Sequence, residues 1–222
     1  MEDWGLGGRT QVARTTVASD LVSGFSIQDK LACIKEGGEI KALFLARLVR
    51  EKGPLEAMQA VVKLREEGWP LTLTVAGEGS CMPEVREFAG RHDPEGRYLS
   101  VVGDVRGARK REILETHHVY VFPTSYGEGM PTSVLEAMVF GMAVVTSPVG
   151  GVADFFEEGS MGYLVRDNSV ESIVSAVRRL LLNPSGMERI CKFNNEFATG
   201  RFLAPVVAEM LMRAYDEVAC LS

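Results

Sequence analysis

From residue 39 onward, short β-rich runs alternate with longer stripes of apolar residues at helical spacing. That alternation is the signature of parallel strands joined by helical crossovers. The runs at 41–46, 71–76, 98–102, 119–122, 143–146 and 162–165 read as strands, with helices between them at 54–67, 80–92, 108–117 and 131–140. After the last run, Ile173, Val177, Leu180 and Leu181 recur at one helical face, and Leu203, Val207, Met210 and Ala214 mark a final amphipathic helix. The expected fold is α/β, a doubly wound parallel sheet of about six strands. Residues 1–38 stand outside the pattern and read as an N-terminal tail or lead-in segment, with a short element at 20–35. Residues 39–222 form the expected Rossmann-like domain.

Composition narrows the partners. A chain of 222 residues that is 46% hydrophobic can bury one large core. Its net charge of −6 supplies no basic field for nucleic acid or anionic membrane. Cys33, Cys81, Cys191 and Cys220 are scattered without a C-x-x-C pair, which argues against a zinc site or a disulfide framework. His117 and His118 are adjacent, where side chains diverge, and His92 lies apart, so no metal site is expected. No apolar run reaches the ~18–20 residues of a membrane span. The start, Met1-Glu2-Asp3-Trp4, is acidic where a signal peptide is basic. The expectation is a soluble, cytoplasmic chain with no transmembrane segment.

In an open α/β sheet, ligands collect at the carboxyl ends of the strands, and the distinctive residues of this chain fall there. Arg47 follows the first strand, with Lys52-Gly53 closing the same loop. Gly77-Glu78-Gly79 follows the second and Gly103-Asp104-Val105 the third. Arg47 offers a bidentate fork and Lys52 a flexible point charge, both suited to phosphate. A solvated loop is the plainer alternative, since Arg50, Glu51 and Lys52 form a mixed-charge cluster. Gly77 and Gly79 either let backbone approach a ligand or merely shape a turn.

The stretch 128–136 carries the most chemistry. Glu128 and Glu136 lie eight positions apart across a helix start, with Pro131 expected at the first helical position. Thr132 and Ser133 then present free backbone N–H groups at the positive end of the helix dipole, where a diphosphate belongs. Glu136 projects about one turn along the same face, ~5–6 Å on, and could accept bonds from ribose hydroxyls. Glu128, in a glycine-flanked loop, could reach hydroxyls beyond the second phosphate. Two solvated glutamates around a helix start are the alternative.

Taken in order, Phe44-Leu45-Ala46-Arg47-Leu48-Val49-Arg50-Glu51-Lys52-Gly53, Val75-Ala76-Gly77-Glu78-Gly79, the stretch 128–138, and 141–145 with Gly150-Gly151 resemble the C-terminal, nucleotide-sugar-binding half of GT-B glycosyltransferases of family 4. The resemblance runs from about residue 39 to the C-terminus. It implies that Arg47 and Lys52 hold the donor diphosphate, Glu136 the ribose and Glu128 the transferred sugar. Gly77, Gly129, Met130 and the backbone of Thr132 and Ser133 complete the donor site, and backbone near Val105 meets the base. Glu128, Arg47 and Lys52 become the catalytic set. The implied reaction transfers a sugar with retention from a nucleotide diphosphate, UDP- or GDP-linked, to a glycan or lipid-linked acceptor, with no metal and no cofactor. A place at the inner face of a membrane suits such an acceptor. The chain departs from the family pattern at Ala46, where Gly is frequent, at Ala143, where Pro is, and at Asp154, where Glu is.

GT-B enzymes pair two domains across a cleft, and this length holds only one. The expectation is a donor half that works with a separate acceptor-binding domain or subunit. A nucleotide-sugar-binding module without turnover is the competing reading, and a sugar-nucleotide epimerase a weaker one. A dinucleotide dehydrogenase is disfavoured because no G-x-G-x-x-G follows the first strand.

Overall fold

The computed structural model describes residues 16–35, 38–127 and 129–219. Six parallel strands form one sheet in the order β3-β2-β1-β4-β5-β6: β1 (Ile40–Leu45), β2 (Leu71–Ala76), β3 (Leu99–Gly103), β4 (Val119–Phe122), β5 (Ala143–Thr146) and β6 (Gly162–Leu164). The order reverses between β1 and β4, the switch point of a doubly wound sheet. Every residue of β4 and β5 is buried, as the central strands of a sheet covered on both faces must be.

Between the strands lie α3 (Pro54–Glu66), α4 (Met82–His92), α5 (Gly107–Thr116) and α6 (Thr132–Val139), and after them α7 (Val170–Leu181), α8 (Pro184–Phe202) and α9 (Ala204–Ala219). Right-handed crossovers put α3 and α4 on one face and α5 and α6 on the other. α7 packs on α3, whereas α8 packs on α6 and β5. The sheet and its two helical layers enclose a single core. The predicted strands and crossover helices agree with those observed to within two residues at each end, and α8 is an additional helix outside the expected elements.

The chain ahead of β1 is docked where the structure describes it. α1 (Ser19–Val22) and α2 (Ile27–Lys35) lie over α5 and α8, and Val17 bonds to Phe202 O at 2.7 Å. Lys30 fastens this segment. Its Nζ donates to Leu114 O (2.8 Å) and Phe140 O (2.6 Å), carbonyls at the C-terminal ends of α5 and α6, where helix dipoles favour a cation. Burial pulls the Lys30 ammonium down to about 7.

His117 and His118 diverge as expected. His117 Nδ1 lies 2.7 Å from Ile113 O, an acceptor, so Nδ1 carries the proton and Nε2 accepts from the Thr74 hydroxyl at 2.8 Å. His118 Nδ1 accepts from the Lys41 N–H at 3.0 Å. Burial pushes both rings down to about 4. Among the described residues, no group of three His, Cys, Asp or Glu side chains is placed to hold a metal ion. No helix among them is long and apolar enough to cross a membrane.

Candidate functional site at the strand switch point

The register sets the strand ends level. β1 pairs with β4 through Ala42–Val119 and Leu43–Tyr120, and β4 with β5 as far as Phe122–Thr146. The loops after β1, β4 and β5 therefore leave the sheet side by side. Tyr120 ties two of them together. Its hydroxyl lies 2.8 Å from Leu45 O and 2.8 Å from Ser133 Oγ. A carbonyl only accepts, so Tyr120 donates to Leu45 and Ser133 donates to Tyr120. The first turn of α6 is thus held at the end of β1, beside Arg47.

Arg47 is exposed, and its guanidinium makes no hydrogen bond or ion pair with any described residue. Lys52 is different. It lies in a 3-10 turn, Arg50–Lys52, and is only 6% exposed. Its Nζ stands 4.5 Å from the Tyr126 ring centroid and 5.7 Å from that of Phe122, within cation–π reach. The mixed-charge cluster around it is resolved by geometry. Arg50 turns away to Glu84 of α4 at 3.1 Å, while Lys52 turns inward toward β4.

Pro131 caps α6 rather than opening it. Its ψ of 105° is extended, and its carbonyl accepts from Val134 N at 3.1 Å, which makes Thr132 the first helical residue. The correction leaves the anion site in place. The Thr132 and Ser133 N–H groups have no partner among the described residues. Five of the eight residues of α6 are buried, which fixes the direction in which this helix end points.

Glu136 follows one turn on and is 14% exposed. Lys110 of α5 approaches it, Nζ to Oε1 at 2.7 Å. The carboxylate thus enters the site already paired with a cation on the helix that follows β3. Val105, at 7% exposure, sits in the loop between β3 and that helix. Gly129 O accepts from Gly151 N at 2.6 Å, and a Cβ on Gly151 would meet Met130 Cε at 2.8 Å, so the segment before α6 leans on the turn after β5. Glu128 lies outside the described residues.

Gly77 has a packing reason for being glycine. At φ 136° a Cβ there would fall 1.9 Å from Ala46 O, and one on Gly79 2.3 Å from Leu48 O. The β2 loop can lie against the β1 loop only without side chains at these points. Leu48 N then bonds to Glu78 O at 2.9 Å, and Gly77 N to Gly103 O at 2.7 Å.

The loops 124–128 and 147–151 are expected at this edge from the sequence, but three relationships there are not visible in it. Lys110 beside Glu136 is one, and Lys110 carries no motif signal beyond its place five residues after Val105. The second is the Tyr126 ring over Lys52, exposed at 50%. The third is a polar cluster of buried Thr124 and Ser147 with Asn168, which follows β6. Asn168 adopts φ 53°, a backbone state that side chains other than Asn and Asp seldom take, and this is its one visible cue.

Strand order and switch point define the molecule as a Rossmann-like α/β domain. A model of the family described as "Glycosyl transferases group 1" matches residues 30–197, and the chain belongs to that family. The phosphatidyl-myo-inositol mannosyltransferase of Mycobacterium tuberculosis is 30% identical over 182 residues, 80% of this chain and 47% of that protein. Among solved structures, Anabaena HepE in complex with UDP superposes with a TM-score of 0.76 at 17% identity, over 94% of this chain and 57% of that one. The C-terminal domain of a group 1 family glycosyl transferase from Francisella tularensis superposes with a TM-score of 0.71 at 16% identity, over 85% of this chain and 99% of that domain. The fold is the C-terminal-like half of a GT-B glycosyltransferase. The chain spans less than half the length of the curated relatives it matches.

Proposed function

We propose that this chain is the donor-binding half of a retaining, metal-independent glycosyltransferase, with the diphosphate of a UDP- or GDP-sugar seated between Arg47, Lys52 and the N-terminus of α6. The observation that carries the reading is the convergence at the switch point. The Thr132 and Ser133 N–H groups, unpartnered among the described residues, are held by Tyr120 beside the Arg47 loop, with the Glu136 carboxylate one turn away. Anions bind helix N-termini because dipole and free donors act together. A carboxylate one turn beyond suits ribose hydroxyls, and Val105 N or O suits the edge of a base.

In the reaction this implies, the bond from the anomeric carbon to the diphosphate oxygen breaks, and a bond to the acceptor oxygen forms on the same face of the sugar. The acceptor proton passes to the departing phosphate oxygen. Arg47, Lys52 and the α6 N–H groups stabilise the charge that grows on the leaving group, which gives the step its electrostatic support without a divalent ion. Glu128 is assigned the transferred sugar, as a positioning residue and not a covalent nucleophile. The acceptor, glycan or lipid-linked, enters from a second domain in cis or in trans, since the centre is assembled between two halves.

Calorimetric titration with UDP, GDP, ADP and their sugar conjugates, with and without EDTA, tests the reading. Saturable binding that survives EDTA and is weakened but still measurable in Glu136→Ala is the expected result. Donor affinity unchanged in both Glu136→Ala and Arg47→Ala would sink it. Tight donor binding with no transfer beside a matching acceptor domain would instead favour a binding module.

A further inference from the structure

Lys52 sits in a turn of three residues, too short to hold its own position, so something outside the turn must fix where its charge is presented. The contacts begin at the Glu51 carbonyl, which accepts from Ser125 N at 2.8 Å and lies 3.2 Å from the Thr124 and Ser125 hydroxyls. Thr124 Oγ1 also accepts from Tyr126 N at 3.1 Å, and Tyr126 is the residue whose ring covers Lys52. Thr124 is in turn fixed from the loop after β6. Its carbonyl accepts from Asn168 Nδ2 at 3.3 Å, and Asn168 Oδ1 accepts from the Ser147 hydroxyl. The amide orientation is determined, because a carbonyl requires a donor and the hydroxyl can supply one. Thr124 and Ser147 are at most 1% exposed and Asn168 is half-buried, so a partner lost by either buried residue is costly. Asn168 maintains them from the left-handed region, at φ 53°, the one such non-glycine among the described residues. A strained backbone that persists is held by its surroundings for a reason.

We propose that Asn168 is a positioning residue for the donor diphosphate. It joins the ends of β4 and β5 from the loop after β6, and through Thr124 and the Glu51 carbonyl it sets the place of Lys52 and the ring above it. The inference rests on the donor reading of the site. It assigns to the last strand of the sheet a part in phosphate recognition, which no motif there announces.

Two variants of the full chain test it. Asn168→Gly accepts φ 53° without strain and removes both side-chain bonds. Asn168→Asp keeps the acceptor for Ser147 and puts an oxygen where Thr124 O needs a donor. The measurements are calorimetric affinities for nucleoside diphosphates and the matching monophosphates, and amide hydrogen exchange at Ser125 and Tyr126. Both variants are expected to weaken diphosphate binding at least fivefold, to leave monophosphate binding within twofold, and to speed exchange at the two amides. Equal losses for diphosphate and monophosphate would overturn the proposal, because a general loosening of the fold produces them. Unchanged exchange, or unchanged diphosphate affinity, in a parent chain that binds nucleotide overturns the role of Asn168 alone. A parent chain that binds no nucleotide overturns the donor reading and this role with it.

Discussion

Lys110 Nζ stands 2.7 Å from Glu136 Oε1, across the gap between the helix that follows β3 and the helix that follows β4. With the two side chains 25% and 14% exposed, the pair is shielded enough to matter more than a surface ion pair. It holds the carboxylate in one rotamer before any ligand arrives. Lys110→Met should weaken nucleotide binding by about 1–2 kcal/mol, roughly 5–30-fold, less than the ~1.5–3 kcal/mol of a full charge-assisted bond because Lys110 acts through Glu136. If Lys110 acts by orienting Glu136, the double variant with Glu136→Ala binds no worse than Glu136→Ala alone. A double-mutant cycle by calorimetry decides, and additive losses would mean that the two residues act separately.

Arg47 is predicted to separate binding from stability. Its guanidinium engages no described residue, so Arg47→Ala should leave the unfolding free energy within about 0.5 kcal/mol of the parent. The same change should cost diphosphate affinity about 1.5–3 kcal/mol, roughly ten- to a hundredfold, while nucleoside binding is kept. Urea denaturation and titration of the same preparation are sufficient. A large loss of stability would show that Arg47 serves the fold.

Gly77→Ala is predicted to do the reverse. The added Cβ would be driven to 1.9 Å from Ala46 O, against backbone that cannot swing aside as a side chain can. Relief requires the β1 and β2 loops to part, breaking the bonds from Leu48 N to Glu78 O and from Cys81 N to Leu48 O. The expected cost is about 2–4 kcal/mol, a lowered midpoint in urea, with nucleotide affinity reduced only through the loss of folded protein. Wild-type stability in this variant would show that the loops are not closely apposed.

What the sequence disclosed followed how local each signal is. β4 and β5 are short, mainly apolar β-rich runs, and their expected bounds coincide with those observed. α8 escaped because its buried stripe is interrupted. Met187, Ile190, Cys191, Ala198 and Phe202 share it with Asn194, and Gly186 and Gly200 lower the helical propensity. Asn194 is buried because its Nδ2 donates to Met142 O and Met161 O, partners no window of sequence reveals. Asn183 followed by Pro184 was the legible cue, a cap and a first-turn proline. The site divides the same way. Arg47, Lys52, Thr132, Ser133 and Glu136 could be listed from spacing along the chain, whereas Lys110 and Asn168 gain their meaning only when distant elements meet.

Acid should unfold this domain earlier than its carboxylates alone would dictate. His117 and His118 are held at about 4 by burial, below the ordinary 6.5, so the unfolded chain binds more protons between those values. Stability is then fully present above about pH 6.5 and falls as pH drops toward 4, by on the order of 3 kcal/mol for each ring. Lys30 has the same sign in a higher window. Its folded value of about 7 lies below the ordinary 10.5, so its contribution grows as pH rises from 7 toward 10.5. Together they tilt the stability curve toward alkaline pH. Urea unfolding at pH 5, 6.5 and 8 should give midpoints that rise in that order. In His117→Gln, whose amide N–H can replace the bond to Ile113 O and whose carbonyl can accept from Thr74, the step between pH 5 and 6.5 should shrink. A step of equal size in that variant would place the acid sensitivity elsewhere.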